Sequence, residues 1–578
     1  MKACDLIARS LHQRGVKVVF GLIGGMIAFM VESLAQYRKT SFITFHHEQA
    51  AAFAADAYGR MTGKPAVVMA TSGPGATNLI TGIGSCYFDS SPAVFITGQI
   101  SSKELKSKRP VRQLGFQETD IVTIVRSLTK SAKMVNDPNN CAGALADAFD
   151  LAVSGRPGPV LLDIPIDVQK REVTGKAVGK TFHPVRLNGD IPKFVNRFIK
   201  ALSKAKRPLI LAGGGVRASG GHDMFLKFLK NSGLPVVHSL LGVDTLSSLH
   251  PQRMGMIGSY GNRYANLAIK EADLLLVLGS RLDIRQTGTQ VDAFREHKKI
   301  FHVDVQKAEL NNRIKSCDVC SCDLKAFLST INGSVALPLL HIQGWRARLA
   351  DLMAMYPDEL EQPSLKSGIN PNAFIRALSK ASPGACGYAV DVGQHQMWAA
   401  QSIWLYKDQR FITSGGMGAM GFALPAAIGM AFASPRQPVV VIVGDGAFQL
   451  NIQELETIKR YNLPLKIVVM NNHSLGMVRQ FQDEIPNMGH QGTVEGYSVP
   501  DLVRIAKAYG IPAKGITRRA QAPSAIKWLW QEALKPAFLQ VDIDIRLNAN
   551  PKIQFRRSIH QMEPKVPEGW HGKRIFRV

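Results

Sequence analysis

The stretch Gly444–Asn472, GDGAFQLNIQELETIKRYNLPLKIVVMNN, decides how the rest of the chain is read. Ahead of it, PVVVIV is a short β-branched apolar run, the pattern of a strand buried on both faces. Behind it Ile452, Leu455 and Ile458 recur at helical spacing, Asn462 and Pro464 close the segment, and LKIVVM runs as a second strand into Asn471 and Asn472. Strand, helix and strand within roughly thirty residues oblige the two strands to run parallel. Asp445 and Asn472 therefore emerge together at the carboxyl edge of a sheet, where open α/β sheets bind ligands. One carboxylate and one amide suit Mg²⁺, which prefers oxygen ligands and is commonly shared between one or two protein groups and a diphosphate. An ordinary parallel unit with a polar turn is the plainer alternative, and the spacing with its double Asn weighs against it.

A chain of 578 residues exceeds one core, and at about 150 residues per domain it predicts three to four. It is 46% hydrophobic, yet no apolar run reaches the roughly 18 residues of a membrane span, so a soluble protein is expected. The opening MKACDLIARSLHQRGV sets Asp5 and Arg9 among its apolar positions and reads as an amphipathic helix, not a signal peptide. Seven Cys in so long a chain make no disulfide framework and point to a reducing compartment, with the cytoplasm as the expected location. Cys317, Cys320 and Cys322 of CDVCSC have no second pair at zinc spacing and are expected to be core thiols. The formal charge of +26 comes with no zinc-finger, RNP or heptad pattern, so a nucleic-acid partner is not expected. One cluster stands out: Lys103, Lys106, Lys108, Arg109 and Arg112.

Strands and helices alternate in three segments separated by Pro- and charge-rich stretches near residues 170–192 and 333–368. The expected fold is α/β, with three doubly wound parallel-sheet domains over residues 1–170, 190–335 and 365–545 and a tail over 546–578. The first and third sheets could be alike. In FHHEQAAAFAADAYGR, Glu48 stands where a strand gives way to an Ala-rich helix whose small side chains permit close packing. A buried acid there suits general acid/base work, whereas a helix N-terminal Glu held by the dipole is the commoner use.

With both ends of the pattern quoted, the chain resembles the thiamine diphosphate (ThDP) enzymes of the acetohydroxyacid (acetolactate) synthase family over residues 1 to about 545. The matching stretches include HHEQAAAFAADAYGR, TSGPGATNLITGI, GFQETDIV, GRPGPVLLDIP, DVGQHQMWAAQ and SGGMGAMGFALPAAIG beside GDG…NN. The resemblance implies that Asp445, Asn472 and the Ser474 carbonyl hold Mg²⁺. Gly24, Gly25, Pro74, Asn78, Gln394, His395, Gly444, Gly446, Ala447 and Met477 would line the ThDP site. Glu48 would bond N1′ of the cofactor's pyrimidine, the Gly418 carbonyl would take its 4′-amino group, and Met420 would wedge beneath it. Phe116, Gln117, Lys130 and Phe481 would line the substrate pocket. Gly213, Gly214, Gly215, Arg281, Asp283, Arg285, Asp304 and Asp323 resemble the stretches that bind a structural FAD, with Gly admitting the backbone and Arg meeting the phosphates.

The activity this implies is decarboxylation of pyruvate and transfer of its two-carbon unit to a second 2-keto acid, by a homodimer or homotetramer with sites at the chain interface. Two features depart from the family pattern. Phe481 stands where the synthases usually carry a Trp that helps choose larger acceptors, and the tail LNANPKIQFRRSIHQMEPKVP is more like relatives that add a two-carbon unit to keto-sugars. An alternative acceptor is thus a nucleotide-activated keto-sugar, whose diphosphate the Lys103–Arg112 run would meet, although a solvated loop is the commoner use of such a run. A basic, non-enzymatic nucleic-acid binder with a vestigial cofactor site is a third reading, opposed by the intact Glu48, Asp445 and Asn472.

Overall fold

The computed structural model describes residues 1–107, 109–174, 189–334, 337–363, 366–554 and 556–566. Lys108 of the basic run, the last residues of the tail (567–578) and the expected domain limits 335 and 365 lie outside them.

Three six-stranded sheets carry the fold. The first contains β1 (Val18–Leu22), β2 (Ser41–Thr44), β3 (Ala66–Ala70), β4 (Ala93–Gln99), β5 (Ser131–Met134) and β6 (Pro159–Pro165). The second contains β7 (Pro208–Ala212), β8 (Val236–His238), β9 (Arg253–Met256), β10 (Leu274–Leu278), β11 (Lys299–Asp304) and β12 (Asp318–Ser321). The third contains β13 (Gly387–Val390), β14 (Arg410–Thr413), β15 (Val439–Gly444), β16 (Leu465–Asn471), β17 (Ala513–Ile516) and β18 (Ala537–Asp542). Every pairing within them is parallel, as strand–helix alternation requires.

The first sheet runs β2-β1-β3-β4-β6-β5 and the third β14-β13-β15-β16-β18-β17, one and the same order counted from each domain's first strand. The second runs β12-β11-β10-β7-β8-β9, reversing direction between β10 and β7. Strands β15 and β16 pair from Val439 with Leu465 to Gly444 with Met470, and both are buried throughout, as their unbroken apolar runs demand. Their crossover differs from one continuous helix. It forms two pieces, Asp445–Gln449 and Glu454–Arg460, because the Asn451 amide turns aside to donate to the Gly421 carbonyl at 2.8 Å.

The Ala-rich helix Glu48–Thr62 lies against the helix Ala423–Ala433 of the third domain within one continuous core. A Cβ at Gly429 would stand 2.0 Å from the Ala54 carbonyl oxygen, so the two backbones meet at a distance only small residues allow. The alanines therefore serve this helix pair as much as they surround Glu48. All seven cysteines are free and buried, and no metal-binding cluster of His, Cys, Asp or Glu occurs among the described residues. No helix among the described residues is long and apolar enough to cross a membrane.

Candidate active site

Asp445 opens the helix that follows β15, and Asn472 follows β16, so the parallel register delivers both to one edge. Asp445 is buried, and its Oδ2 accepts the Tyr497 hydroxyl at 2.9 Å. Burial pushes its carboxyl up to about 6, since no cation forms an ion pair with it among the described residues. Asn472 donates to Gln394 Oε1 at 2.9 Å, and Gln394 donates onward to Gln480 Oε1 at 3.0 Å. The Ser474 hydroxyl is buried without a hydrogen-bond partner. A Cβ at Gly446 would come 2.6 Å from Leu475 and 2.9 Å from the Tyr497 hydroxyl, and one at Gly476 would come 2.2 Å from Gln394 Oε1. His395 is held neutral by burial, and its Nε2 accepts the Gly444 N–H at 3.2 Å. Ala447 is buried beside them, and Met477 is half-buried on the helix Gly476–Gln482. A buried carboxylate lacking a cation, an amide oxygen edge and a glycine-lined cradle fit a hard divalent ion with a diphosphate.

Glu48 opens its helix after β2, with His47 capping through Nδ1, which accepts the Gln49 N–H at 3.1 Å. The carboxylate is 5% exposed and accepts Asn78 Nδ2 at 2.9 Å. Asn78 ends the helix Pro74–Asn78, and a Cβ at Gly75 would stand 3.2 Å from Glu48 Oε1. Gln117, in the left-handed region at φ 65°, lies over the same turn, 3.0 Å from where a Cβ of Gly73 would be. Gly24 packs on Thr71, where a Cβ would stand 2.6 Å away, and Gly25 begins the next turn with open space beside it. Phe116 is 80% exposed and Phe481 58% exposed.

The loop that carries Gly418 and Met420 is clamped at both ends by buried carboxylates. Asp89 of the first domain accepts the N–H groups of Gly415 and Gly416 at 2.9 and 2.6 Å, and Arg60 holds Asp89 at 2.9 Å. Asp391 accepts those of Gly421 and Ala423 at 3.0 and 2.7 Å. Between the clamps Gly418 sits at φ 66°, exposed, and Met420 is half-buried.

The structure thus gathers two groups, one around Glu48 and one around Asp445 and Asn472, and no hydrogen bond joins them within the described chain. Lys130, expected in the substrate pocket, belongs to neither. It precedes β5 at the amino end of the sheet, where its Nζ donates to the Leu151 and Ser154 carbonyl oxygens at 2.5 Å and closes a helix C-terminus. Sequence reasoning missed Glu454, Asp89, Asp391 and Tyr497. The three acids stand at strand or helix ends and Tyr497 in the irregular stretch before the helix Leu502–Ala508, and only tertiary contacts convert them into a role.

In the second domain Gly214, Gly215, Arg281, Asp283, Arg285, Asp304 and Asp323 line one cleft. Gly213 lies behind it, with its Cα against the Gly279 carbonyl, where a Cβ would come within 2.1 Å. Asp283 caps the helix Ile284–Thr287 and pairs with Arg281 at 3.2 Å. Burial raises Asp304 above the usual carboxylate range. Arg156 from the first domain closes one side, paired with Glu309 at 2.8 Å, and the tail reaches the other through Ile553 N–H to the Ser259 carbonyl at 2.8 Å. Glycines at the floor, free arginine N–H groups and carboxylates for hydroxyls fit a dinucleotide such as FAD.

Three family models match in chain order. The thiamine pyrophosphate enzyme N-terminal TPP binding domain covers residues 1–124, the central domain 195–331 and the C-terminal TPP binding domain 391–541. Acetolactate synthase 2, chloroplastic, of Zea mays is 38% identical over 574 residues, spanning 96% of this chain and 87% of the relative. The acetolactate synthase isozyme 2 large subunit of Escherichia coli K12 is 36% identical over 567 residues, spanning 98% of this chain and all of the relative. The chain belongs to the acetolactate synthase family of thiamine diphosphate enzymes. Acetolactate synthase 2 of Nicotiana tabacum, 37% identical over 548 residues, lies within the same family. ThDP is this family's cofactor, with Mg²⁺ and FAD its usual companions, and the sites above fit all three. Family members are oligomeric enzymes that use pyruvate. The keto-sugar acceptor gains no support from these relatives.

Proposed function

We propose that this chain decarboxylates pyruvate and joins the two-carbon unit to a second 2-keto acid, giving acetolactate when that acceptor is also pyruvate. The observation that carries this reading is similarity to acetolactate synthases along nearly the whole chain, with Glu48, Asp445 and Asn472 in place and buried. When bound, ThDP supplies the electron sink that decarboxylation of a 2-keto acid requires. The chain's residues supply position and proton handling. Asn78 fixes the Glu48 carboxylate, so that the acid exchanges a proton at one defined point. Asp445 and Asn472 would hold Mg²⁺ and with it the diphosphate end of the cofactor, and the clamped loop fixes the backbone that would offer the Gly418 carbonyl and Met420 to it.

The complete site is shared between two copies, in a dimer or a tetramer. Phe116, Phe481, Leu450 (54% exposed) and Val478 (50% exposed) leave apolar side chains open around both half-sites, and a second copy would cover them. Phe481 and Gln117 would face the acceptor. Product analysis tests the function: protein loaded with ThDP, Mg²⁺ and FAD should convert pyruvate to acetolactate and CO₂. Acetaldehyde as the main product, or no turnover without a sugar substrate, would overturn it.

A further inference from the structure

A second large cleft lies between the second domain and the segment 406–409 that leads into β14. It shares no lining residue with the flavin cleft, and neither the thiamine nor the flavin reading uses it.

Its charge is one-sided. Arg217, Lys230, Arg253, Arg346 and Lys407 line it against two carboxylates, Asp244 and Asp408. Asp244 is already engaged, because its Oδ2 takes Arg410 Nε at 2.6 Å and the Phe411 N–H at 3.3 Å. Arg253 is the cation most in need of a partner. Its Nη1 donates to the Val243 and Leu246 carbonyl oxygens at 2.7 and 2.6 Å, which fixes the guanidinium plane. Its Nε and Nη2 make no hydrogen bond among the described residues, no carboxylate pairs with it, and neither nitrogen is sealed from solvent. Burial pushes Arg253 down to about 10 even though Asp244 and Asp358 act on it from a distance, since neither carboxylate pairs with it directly.

Much of the remaining lining is apolar. Leu229, Leu246, Met254 and Leu349 contribute to it, together with the more open Leu249 (70% exposed) and Met353 (36% exposed). A planar fork with two free N–H directions matches a carboxylate, and an apolar lining matches a hydrocarbon body. Of the remaining cations, Arg217 is half-buried but already engaged with the Asp244 carbonyl oxygen at 2.6 Å, and Lys230, Arg346 and Lys407 are exposed, so one compact anion is recognised at depth.

We propose that this cleft binds a small organic carboxylate, its head forked onto Arg253 and its hydrocarbon body laid against Leu249 and Met353. Since both domains line the cleft, an occupant bridges them and stabilises the folded chain by mass action.

Calorimetric titration of the holoenzyme with hexanoate, hexylamine, hexanol and inorganic phosphate tests this. Hexanoate should bind and raise the melting temperature, whereas the amine and the alcohol should do neither. Arg253→Gln should weaken hexanoate by about tenfold or more, the scale of one lost charge-assisted pair. Because Arg253 also holds two carbonyl oxygens, Leu249→Glu provides a second variant at an exposed position and should weaken hexanoate without lowering the melting temperature of the free enzyme. Hexanoate binding equal to wild type in both variants, equal binding of hexylamine, or no hexanoate binding would overturn the proposal. Phosphate binding more tightly than hexanoate with the same dependence on Arg253 would overturn the carboxylate assignment in favour of phosphate esters.

Discussion

Glu454 of the third domain accepts the backbone N–H of His46 at 3.0 Å, across 408 residues of sequence and two residues ahead of Glu48. The third domain thus holds the turn from which the Glu48 helix starts. Burial pushes Glu454 up to about 7, while the Thr457 hydroxyl donates to it at 2.6 Å.

That contact sets the first prediction. A carboxyl raised in the folded state contributes stability that is present below its unfolded value and lost as pH rises through about 7. Glu454→Gln keeps an acceptor without the charge, so it should match wild type at low pH and exceed it above about 7 in urea unfolding. Glu454→Ala should cost about 1–3 kcal/mol, the scale of an unsatisfied buried donor, and should lower kcat by displacing Glu48. Unchanged stability and kcat in Glu454→Ala would sever the link between Glu454 and the site.

Asp445 gives the second. In metal-free protein its raised carboxyl contributes stability below 3.8 that is lost as pH rises through about 6. Mg²⁺ with ThDP should therefore raise the melting temperature more at about pH 7.5 than at about pH 5, where the ion competes with a proton. Asp445→Asn should flatten that difference, measured by calorimetry with and without a chelator. A pH-independent Mg²⁺ effect in the wild type would place the ion elsewhere.

The flavin cleft gives the third. Arg281→Ala should loosen FAD by about tenfold to a hundredfold, the loss expected for one charge-assisted phosphate contact of roughly 1.5–3 kcal/mol. Retained yellow colour after gel filtration reports it. Wild-type retention would show that Arg281 serves only its pair with Asp283.

Phe481 gives the fourth. It is exposed on the helix that follows Asn472, beside Val478, so its ring is free to face an acceptor. Phe481→Trp should shift competition between pyruvate and 2-ketobutyrate as acceptors toward the larger acid, with little change in pyruvate decarboxylation. An unmoved product ratio would remove Phe481 from the acceptor pocket.

Much of this was legible in the chain because parallel sheets write themselves plainly. PVVVIV and LKIVVM are buried throughout, and their crossover length alone sets Asp445 beside Asn472. That Gly214, Arg281 and Asp304 reach one cleft was legible for the same reason, since each stands at or just after a strand end of one sheet. Lys130 entered the pocket by resemblance alone, and its place before β5 with Nζ on the Leu151 and Ser154 carbonyl oxygens is a tertiary contact that no local pattern announces. The Asp89 clamp was illegible because its partners Gly415 and Gly416 lie 326 and 327 residues away. Arg253 was illegible for another reason: a cation lacking a partner is defined by what does not surround it.

The central claim is that Glu48 of one copy and Asp445 with Asn472 of another complete one thiamine site. Mixing inactive Glu48→Gln with inactive Asp445→Ala under conditions of proven subunit exchange tests it most directly. One hybrid site then regains both groups, and acetolactate formation should return to about a quarter of the wild-type rate or less, given random pairing with one competent site per mixed dimer. No recovery despite demonstrated exchange would contradict the claim and place each site within a single chain.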